Sequence, residues 1–508
     1  MSSLTVRGAA VAIALLLGAG PLSPLAAAPA CAAARDAKTT LKQMSLPELA
    51  EEMQAAVEAE DAPRLQAVAR QMRRSPDFPQ LPDEGRHGVL AIIALTTLEL
   101  DGAAEALPEL QAAVAAASPY DDVWIGLINA QLATEDRNAA ADVLAALLAR
   151  DPATLDALSD DFLRSFARDS RVDAERRFAV QAQLLAANWA APHITYVWLD
   201  HIDGLLERGA EDKALAVVER IRSGPGVLQL RGLRRYDGLV ATYGAERLDI
   251  AAAYARDLAE REAAAAAPEA AFDAAMDWVD SLFYAARFDE ALAAAEALLA
   301  RPAPAAGSRD AERRPWLADT RARVLQELGR EAEAVVAQRE AIAAGLDSDR
   351  VSHVINLGWL HLRQGRPSEA LAAVSAVEAA HASPYGVMQA EQVRACGGHL
   401  AGQSAVADAA LAYMREHWRD APGAYQYTLA CRGDADAVAE LLIRRLQDPA
   451  LAAEAALEFH DRLQPPKPTA FDARIDQLHR QVRARPDVRA AFDAVARPFA
   501  VPSLSAQF

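Results

Sequence analysis

The chain is poor in the residue types on which nucleic-acid-binding and β-rich proteins depend. Aromatic side chains make up only 6% of its 508 residues, and 52 basic side chains stand against 71 acidic ones, which gives a net charge of −19. A nucleic-acid-binding surface needs basic stripes that neutralise phosphates, so this balance argues against that class. The sequence also has no convincing run of alternating apolar and polar residues between hairpin turn signals, and it therefore does not predict a β-sheet fold.

The short motifs of common catalytic and metal sites are also missing. The sequence contains no His-Glu-x-x-His, Gly-x-Ser-x-Gly, Gly-x4-Gly-Lys or Cys-x-x-Cys. Its ten histidines are scattered, and His353 and His361, eight residues apart on one predicted helix, lie about 80° away from a shared face. We therefore expect no catalytic residue, no metal site and no cofactor, and we expect the acidic residues to lie on solvated helix faces.

The first thirty residues have the pattern of a cleaved secretory signal. Arg7 supplies a positive charge, the apolar run at 9–20 has the length of a signal-peptide core, and small residues at 26–30 satisfy the small-x-small cleavage rule. Acylation of Cys31 is the alternative, but that processing usually needs Leu or a similar residue three positions earlier, where this chain has Ala28. We expect export to the periplasm of a Gram-negative bacterium, without a lipid anchor at Cys31.

Alanine, by contrast, is abundant, at 122 of the 508 residues. Alanine has the highest helix propensity of all residues, so the composition predicts closely packed helices. After the signal no segment holds 18 uninterrupted apolar residues, and we expect no transmembrane segment in the mature chain.

A helical repeat is clearest over residues 351–384. It carries two segments of a known pattern, Asn-Leu-Gly-Trp at 356–359 and Gly-Arg-Pro-Ser-Glu-Ala-Leu at 365–371. Gly358 stands at the eighth place of this 34-residue unit, Gly365 at the fifteenth and Ala370 at the twentieth. The unit resembles a tetratricopeptide repeat, in which small residues let two antiparallel helices approach closely and a glycine forms the turn between them.

Further segments repeat this pattern at spacings near 34 residues. Each has a small residue at the place equivalent to Ala370, namely Ala106, Ala140, Ala214, Ala291 and Ala334. The stretches 155–194, 229–271 and 388–463 have helical periodicity but poor signatures, and we interpret them as degenerate repeats. One unit cannot bury its apolar face alone, so neighbouring units are expected to stack around a continuous core.

The resemblance implies an all-α fold, a right-handed α-α superhelical solenoid of about eleven helix pairs. We assign 1–30 to the signal peptide, 31–47 to an N-terminal linker, 48–464 to the solenoid and 465–508 to a C-terminal helical cap and tail. Within the last segment, residues 485–498 predict a terminal helix with Pro486 in its first turn. An unrelated helical solenoid or bundle is the alternative interpretation.

Three side chains of the clearest repeat are candidates for binding. Trp359 is at the ninth place, which in tetratricopeptide proteins tends to face the concave groove, and Asn356 and Arg363 lie nearby on the same helix. We predict that Asn356, Trp359 and Arg363 contact a ligand there, with core packing as the alternative. Some tetratricopeptide proteins clamp a terminal carboxylate with Asn and Lys residues, but this chain has only four lysines, and that clamp is not predicted.

The resemblance implies a non-enzymatic interaction scaffold of the cell envelope that binds a partner protein or peptide in its concave groove. The alternatives are a helical envelope enzyme that acts on a polysaccharide and a periplasmic component of a polysaccharide export assembly. Such an enzyme normally needs a carboxylate pair in an aromatic-lined cleft. The low aromatic content and the missing motifs count against it.

The spacing of Cys396 and Cys431 predicts that they do not form a disulfide, although an oxidising compartment would favour one. If Ala407 and Ala437 are the small second-helix residues of successive units, the two cysteines fall at about the ninth and fourteenth places. Equivalent helices of neighbouring units lie roughly 8–10 Å apart, and five residues add roughly 7 Å along the axis. The separation of the two Cα atoms should then exceed the limit of about 7 Å for bridging.

Overall fold

The structure, a computed structural model, describes residues 41–191, 194–267, 271–302, 304–305, 307–377 and 382–504. The predicted signal peptide, most of the predicted linker, Cys31 and the last four residues lie outside these ranges. The chain divides into two compact units, Met1–Ala210 and Glu211–Phe508, which we call unit 1 and unit 2. Within the described ranges, no helix is both long enough and apolar enough to cross a membrane.

In unit 1 the described residues form nine α-helices and three short 3-10 helices. The α-helices are α1 (Leu46–Glu58), α2 (Ala62–Arg74), α3 (Asp83–Leu100), α4 (Ala103–Ala115), α5 (Asp121–Ala133), α6 (Arg137–Arg150), α7 (Asp160–Phe166), α8 (Ala174–Ala186) and α9 (Thr195–Glu207). The 3-10 helices span Leu41–Gln43, Phe78–Gln80 and Pro152–Ala157. Very short connections join α1 to α2, α3 to α4 and α5 to α6, which therefore form antiparallel helix pairs.

In unit 2 the described residues form seventeen α-helices and one pair of two-residue strands. The first twelve of these helices are α10 (Glu211–Val218), α11 (Gly224–Gly232), α12 (Asp237–Tyr243), α13 (Ile250–Ala266), α14 (Phe272–Tyr284), α15 (Phe288–Leu299), α16 (Arg309–Glu327), α17 (Glu331–Ala344), α18 (Asp347–Arg363), α19 (Pro367–Val374), α20 (Pro384–Leu400) and α21 (Ser404–Glu416). The remaining elements are α22 (Pro422–Cys431), α23 (Ala435–Gln447), α24 (Ala452–Ala456), β1 (Asp461–Arg462), α25 (Ala470–Arg483), α26 (Pro486–Val495) and β2 (Ala500–Val501). Short 3-10 helices lie at Arg234–Tyr236, Ala245–Arg247, Trp418–Asp420 and Leu457–Phe459.

The predicted all-α fold is confirmed, because β1 and β2 are the only strands in the described residues and form one short parallel pair. Five helix pairs of unit 2 are joined by three-residue connections: α14 and α15, α16 and α17, α18 and α19, α20 and α21, and α22 and α23. Each pair also packs against its neighbour along the chain. The predicted terminal helix is present as α26, with Pro486 as its first residue.

The turns between paired helices have the geometry of the predicted repeat. Gly329 and Gly365 adopt φ angles of 76° and 71°, while Glu135 and Ala286 hold the same place in their pairs with φ angles of 63° and 58°. Five residues after each of these turns comes an alanine without solvent exposure, at Ala140, Ala291, Ala334 and Ala370. The tetratricopeptide-like register is therefore confirmed in these pairs.

Gly358 marks a close approach between three helices of unit 2. A Cβ atom built on Gly358 would lie 2.9 Å from the Cγ1 atom of Val393 on α20 and 3.1 Å from that of Val374 on α19. Helix α18 can approach both neighbours this closely because the eighth place of the repeat carries no side chain.

Replacing Ala370 with tryptophan is expected to lower the free energy of unfolding by at least about 1–3 kcal/mol, because the indole must be forced into a packed contact. Ala370 has no exposed surface, whereas its neighbour Glu369 is exposed. Urea unfolding of the full chain measures the effect, and Glu369→Ala serves as the control, with a change within about 0.5 kcal/mol. An unchanged midpoint for Ala370→Trp would show that the register is wrong.

The C-terminal segment of unit 2 returns to the beginning of the same unit. The backbone N–H of Arg497 donates to the carbonyl of Gly232 at 2.9 Å, and Leu233 forms an antiparallel bridge with Ala496. Further along, the N–H of Leu504 donates to the carbonyl of Tyr284 at 2.8 Å. The C-terminal segment therefore contacts the end of α11 and the end of α14.

The prediction that Cys396 and Cys431 remain unpaired is wrong. The two residues form a disulfide between α20 and α22, with their Cα atoms 5.6 Å apart. The estimate treated the distance between helix axes as the distance between Cα atoms, although each Cα lies about 2.3 Å off its axis toward the neighbour. The assumed register was also one residue off, since Val438, not Ala437, is the buried residue five places after the turn at Gly433.

Candidate functional site

Unit 2 contains a cavity of about 610 Å³ that is partly open to solvent. Its walls come from α14, α16, α18, α20 and α22, which are the first helices of the five regular pairs. Gln338 of α17 and Arg445 of α23 reach it from second helices, and His479 contributes from α25. A volume of this size lies within the range of about 300–1,000 Å³ that is usual for small-molecule sites.

The cavity is lined by all three candidate residues from the sequence, Asn356, Trp359 and Arg363. They follow one another along α18. They do different things there. Asn356 belongs to a hydrogen-bonded cluster around a buried carboxylate, whereas Trp359 and Arg363 contact helix α25 of the same chain. The structure thus brings the three together, and their predicted role in ligand binding stays a prediction.

The cluster around Asn356 is centred on Asp319, which is only 4% exposed. The Oδ1 atom of Asp319 accepts hydrogen bonds from Gln338 Nε2 at 2.6 Å and from Asn356 Nδ2 at 2.9 Å, and it lies 3.1 Å from Nδ1 of His353. Burial acts to raise the pKa of Asp319, but the three hydrogen bonds together outweigh it and lower the pKa. Asp319 is therefore an ionised, fixed acceptor in the cavity wall.

Asp280 is a second cavity carboxylate in a different environment. It accepts a hydrogen bond from Thr320 at 3.0 Å. Burial raises the pKa of Asp280, although the nearby positive charge of Arg323 opposes this. The guanidinium of Arg323 lies 4.4 Å from the ring centroid of Phe283, a cation–π distance. This end of the cavity thus offers one carboxylate that holds its proton more readily than a free aspartate does.

Arg363 joins α18 to two other helices through buried ion pairs. Its Nη1 donates to Glu327 Oε1 at 2.8 Å, and its Nε and Nη2 donate to the carboxylate of Asp472 at 2.9–3.1 Å. Arg363 is 7% exposed and Glu327 3% exposed, so both charges are largely removed from water. The neighbouring Trp359 packs edge-on against Tyr427 of α22 and lies 6.5 Å from the ring of Phe471. Helix α25 is held on α18 by one aromatic and one ionic contact.

Arg445 of α23 forms a second buried ionic centre in the cavity wall. It is 1% exposed, and its Nη1 donates to Gln426 Oε1 and to Glu458 Oε1, both at 2.6 Å. Its Nη2 donates to Glu454 Oε1 at 3.2 Å. The charge of Arg445 is therefore compensated by two carboxylates of the same wall, Glu454 and Glu458.

The expectation that acidic residues lie on solvated faces is wrong at Asp319 and Glu327, which are both buried. The sequence contained an indication of their burial. On α16, Asp319 lies three positions from the buried Ala322, and Glu327 lies two positions from the buried Leu325. A polar residue at an interior place of an amphipathic helix needs a buried partner. Those partners come from other repeats, and spacing within one repeat does not identify them.

In the described part of the chain, no group of three or more His, Cys, Asp and Glu side chains is arranged to hold a metal ion. The arrangement instead suits hydrogen bonding. Amide, carboxylate and guanidinium groups alternate around the cavity and are held in place by one another, which is the pre-organisation that a binding site requires.

Acidification is expected to destabilise unit 2 between about pH 6.5 and pH 4 through His460. Burial, assisted by Arg462, lowers the pKa of this histidine to about 4, and its Nδ1 accepts a hydrogen bond from the N–H of Phe499 at 3.2 Å. The unfolded chain takes up the proton below about pH 6.5 and the folded chain does not. The stabilisation is thus complete above pH 6.5 and decreases as the pH falls toward 4.

Urea unfolding at several pH values measures this dependence. His460→Gln keeps an acceptor for Phe499 but does not titrate, so the loss of stability on acidification should become smaller by up to about 1.4 kcal/mol per pH unit. His417→Gln, at a histidine whose side chain is 40% exposed, is the comparison variant. Equal pH dependence of His460→Gln and the unchanged protein would contradict the assignment.

Comparison with known proteins adds little to this geometry. No family model and none of the curated proteins matches the chain. Among solved structures, the chain is similar to the Naa15/Naa10 complex bound to HypK-THB, with 16% identity, 81% of this chain and 65% of that chain covered, and a TM-score of 0.23. It is also similar to the Cut9–Hcn1 hetero-tetramer of the APC/C, with 10% identity, 89% and 96% coverage, and a TM-score of 0.28.

A third similar structure is the tetratricopeptide domain of P58(IPK), with 10% identity, 86% and 97% coverage, and a TM-score of 0.18. TM-scores this low carry no argument about the present chain. Its class therefore rests on its own helix pairs, turns and buried alanines, which define an all-α protein of tetratricopeptide-like repeats.

Proposed function

We propose that this protein is a non-enzymatic interaction scaffold whose unit 2 binds a helical segment of a partner protein. One observation supports this function above the others: the surface formed by α18, α22 and α23 already holds a helix, α25 of the same chain. The contact uses Trp359 against Phe471 and Arg363 against Asp472. A partner helix with an aromatic residue followed by an acidic one would present the same groups to the same surface.

The location proposed for this scaffold is the periplasm. The signal-like pattern of the first thirty residues and the disulfide between Cys396 and Cys431 both support export, because disulfides persist in oxidising compartments and are rare in the cytosol. The mature protein is proposed to begin near residue 31 and to meet its partner in the cell envelope.

Weakening the attachment of α25 tests the proposed surface. Asp472→Asn removes the charge that pairs with Arg363 but keeps the shape of the side chain, so α25 should exchange its amide hydrogens faster and the surface should become more available. Affinity capture from envelope extracts with the mature protein should then recover more of the partner. Trp359→Ala should recover less of it, because the aromatic contact is lost.

Asp476→Asn is the matched control on the same helix, since the side chain of Asp476 is 46% exposed and lies 3.8 Å from Arg480. It should change neither exchange nor recovery. Faster exchange of α25 in Asp472→Asn without any change in the recovered protein would contradict the proposed surface. Turnover of an envelope glycan by the purified protein would contradict the non-enzymatic function.

A further inference from the structure

We propose that the cavity of unit 2 is a second binding site, distinct from the surface that holds α25, and that its ligand is a short, uncharged saccharide. The cavity and the α25 surface share Trp359, Arg363 and Tyr427, and His479 of α25 itself lines the cavity, but the cavity extends away from them to α14, α16 and α20. This proposal goes beyond the scaffold function and does not depend on it.

The charge of the lining favours an uncharged ligand. Among the 28 lining residues, five are acidic (Asp280, Asp319, Glu327, Glu454 and Glu458) and five are arginines (Arg313, Arg323, Arg363, Arg445 and Arg462), so the formal charges cancel. The most buried of these arginines, Arg445 and Arg363, are already paired with carboxylates. A charged ligand would therefore meet no surplus of the opposite charge.

Buried polar atoms of the lining point to a ligand with both donors and acceptors. Among the described residues of the lining, three acceptor atoms have no hydrogen-bond partner, namely Glu327 Oε2, Gln338 Oε1 and Gln392 Oε1, and the donors Arg323 Nε and Arg445 Nε and the ring nitrogen His479 Nε2 have none either. Glu327, Gln338, Gln392 and Arg445 are at most 5% exposed. Unpaired buried polar atoms are costly and rare, so each calls for an explanation. Hydroxyl groups, which donate and accept, would serve both kinds of atom after small side-chain adjustments.

The non-charged part of the lining fits a sugar ring as well. Six of the 28 lining residues are aromatic, although aromatic residues make up only 6% of the chain. Flat aromatic faces provide apolar area, which matches the C–H faces of a pyranose ring, while the amides of Gln338, Asn356, Gln389, Gln392 and Gln426 match its rim of hydroxyls. This combination of aromatic walls and a few fixed polar groups is usual for small-molecule sites.

The common modes of peptide recognition fit the cavity less well. Strand addition needs an exposed sheet edge, an amphipathic helix needs an apolar groove, and an acidic motif needs a cluster of available arginines. Among the described residues, the lining contains one residue of a two-residue strand, Arg462 of β1, and no longer strand; it has only four aliphatic side chains (Met276, Leu360, Ala424 and Leu457), and Arg313, Arg363 and Arg445 are paired with carboxylates. A peptide is therefore an alternative outcome of the test and not the proposal.

Gln392 gives the sharpest test, because no described residue bonds to its buried Oε1 atom. Gln392→Met has nearly the same volume and removes the unpaired amide. If the amide is there for a ligand, the variant should melt at a higher temperature without ligand and bind the ligand about tenfold more weakly or not at all. A glutamine with a purely structural role would show the opposite change in melting temperature.

The full mature chain is titrated with glucose, galactose, mannose, N-acetylglucosamine and their disaccharides, with binding followed by calorimetry and by ligand-observed NMR. Glucuronate and alanyl-alanine are the charged and peptide probes. At least one neutral sugar should bind saturably and lose affinity in Gln392→Met, whereas Gln403→Met, an exposed glutamine outside the cavity, should leave binding unchanged. Absence of binding by every neutral sugar, preference for glucuronate or alanyl-alanine, or unchanged affinity in Gln392→Met would each overturn the proposal.

Discussion

Replacing Arg363 with methionine is expected to lower the free energy of unfolding of unit 2 by about 3–5 kcal/mol, because removing one partner of a buried ion pair leaves an uncompensated charge. Arg363 is the only described residue that is hydrogen-bonded to the buried carboxylate of Glu327, and it also holds Asp472 of α25. Urea unfolding monitored by tryptophan fluorescence measures the loss. Faster amide exchange of α25 should accompany it.

Two further variants separate the charge from the packing. Glu327→Gln added to Arg363→Met should recover a substantial part of the loss, since a neutral amide is cheaper to bury than a carboxylate. Arg480→Met, which removes an arginine that is 62% exposed, should change stability by less than about 1 kcal/mol. If Arg363→Met were no more destabilising than Arg480→Met, the buried ion pairs would not be holding unit 2 together.

Loss of the disulfide is expected to cost unit 2 about 3–4 kcal/mol, as estimated from the loop that it closes. Cys396 and Cys431 are separated by 35 residues and are at most 1% exposed. The bond fixes α20 against α22, which both line the cavity. The double variant Cys396→Ala, Cys431→Ala should therefore unfold at a lower urea concentration than the oxidised protein.

Reductant supplies the matched control for the disulfide. It should shift the unfolding midpoint of the unchanged protein toward that of the double variant and should leave the double variant as it is. Mass spectrometry of alkylated, non-reduced protein gives an independent check, because one peptide should contain both cysteines linked by sulfur. Equal midpoints for the oxidised and reduced proteins would contradict the expected stabilisation.

The sequence predicted those parts of the fold that are decided within one repeat. Gly365 predicted the turn and Ala370 the buried second-helix position, because both follow from the steric needs of a close helix pair. The disulfide was missed since it depends on how far α22 is displaced along α20, which several side chains of both helices decide together. Correcting the one-residue error at Ala437 shortens the offset along the axis by only about 1.5 Å; the larger error was to take the distance between helix axes for the distance between the Cα atoms, which lie 5.6 Å apart.

In the candidate site too, the sequence predicted the features that are decided within one repeat and missed the contacts between distant segments. The place of Trp359 and Arg363 in the repeat indicated the surface toward which they point, and the structure puts both in the cavity wall. Their partners, Phe471 and Asp472, come from more than 100 residues further along the chain, and no local pattern predicts such a contact. Asp319 was missed for a related reason: three donors from α17 and α18 make its burial tolerable, and the sequence of α16 alone does not contain them.

The return of the C-terminal segment determines when unit 2 can reach its final form during biosynthesis. Repeat proteins that contact only their neighbours can fold progressively as the chain emerges. In unit 2, Arg497 pairs with Asp237 across 260 residues, and such distant contacts form slowly because the intervening loop must first be closed. Residues 460–504 emerge after every other described part of the unit, so a chain that ends before them lacks α25 and loses the contact of Trp359 with Phe471.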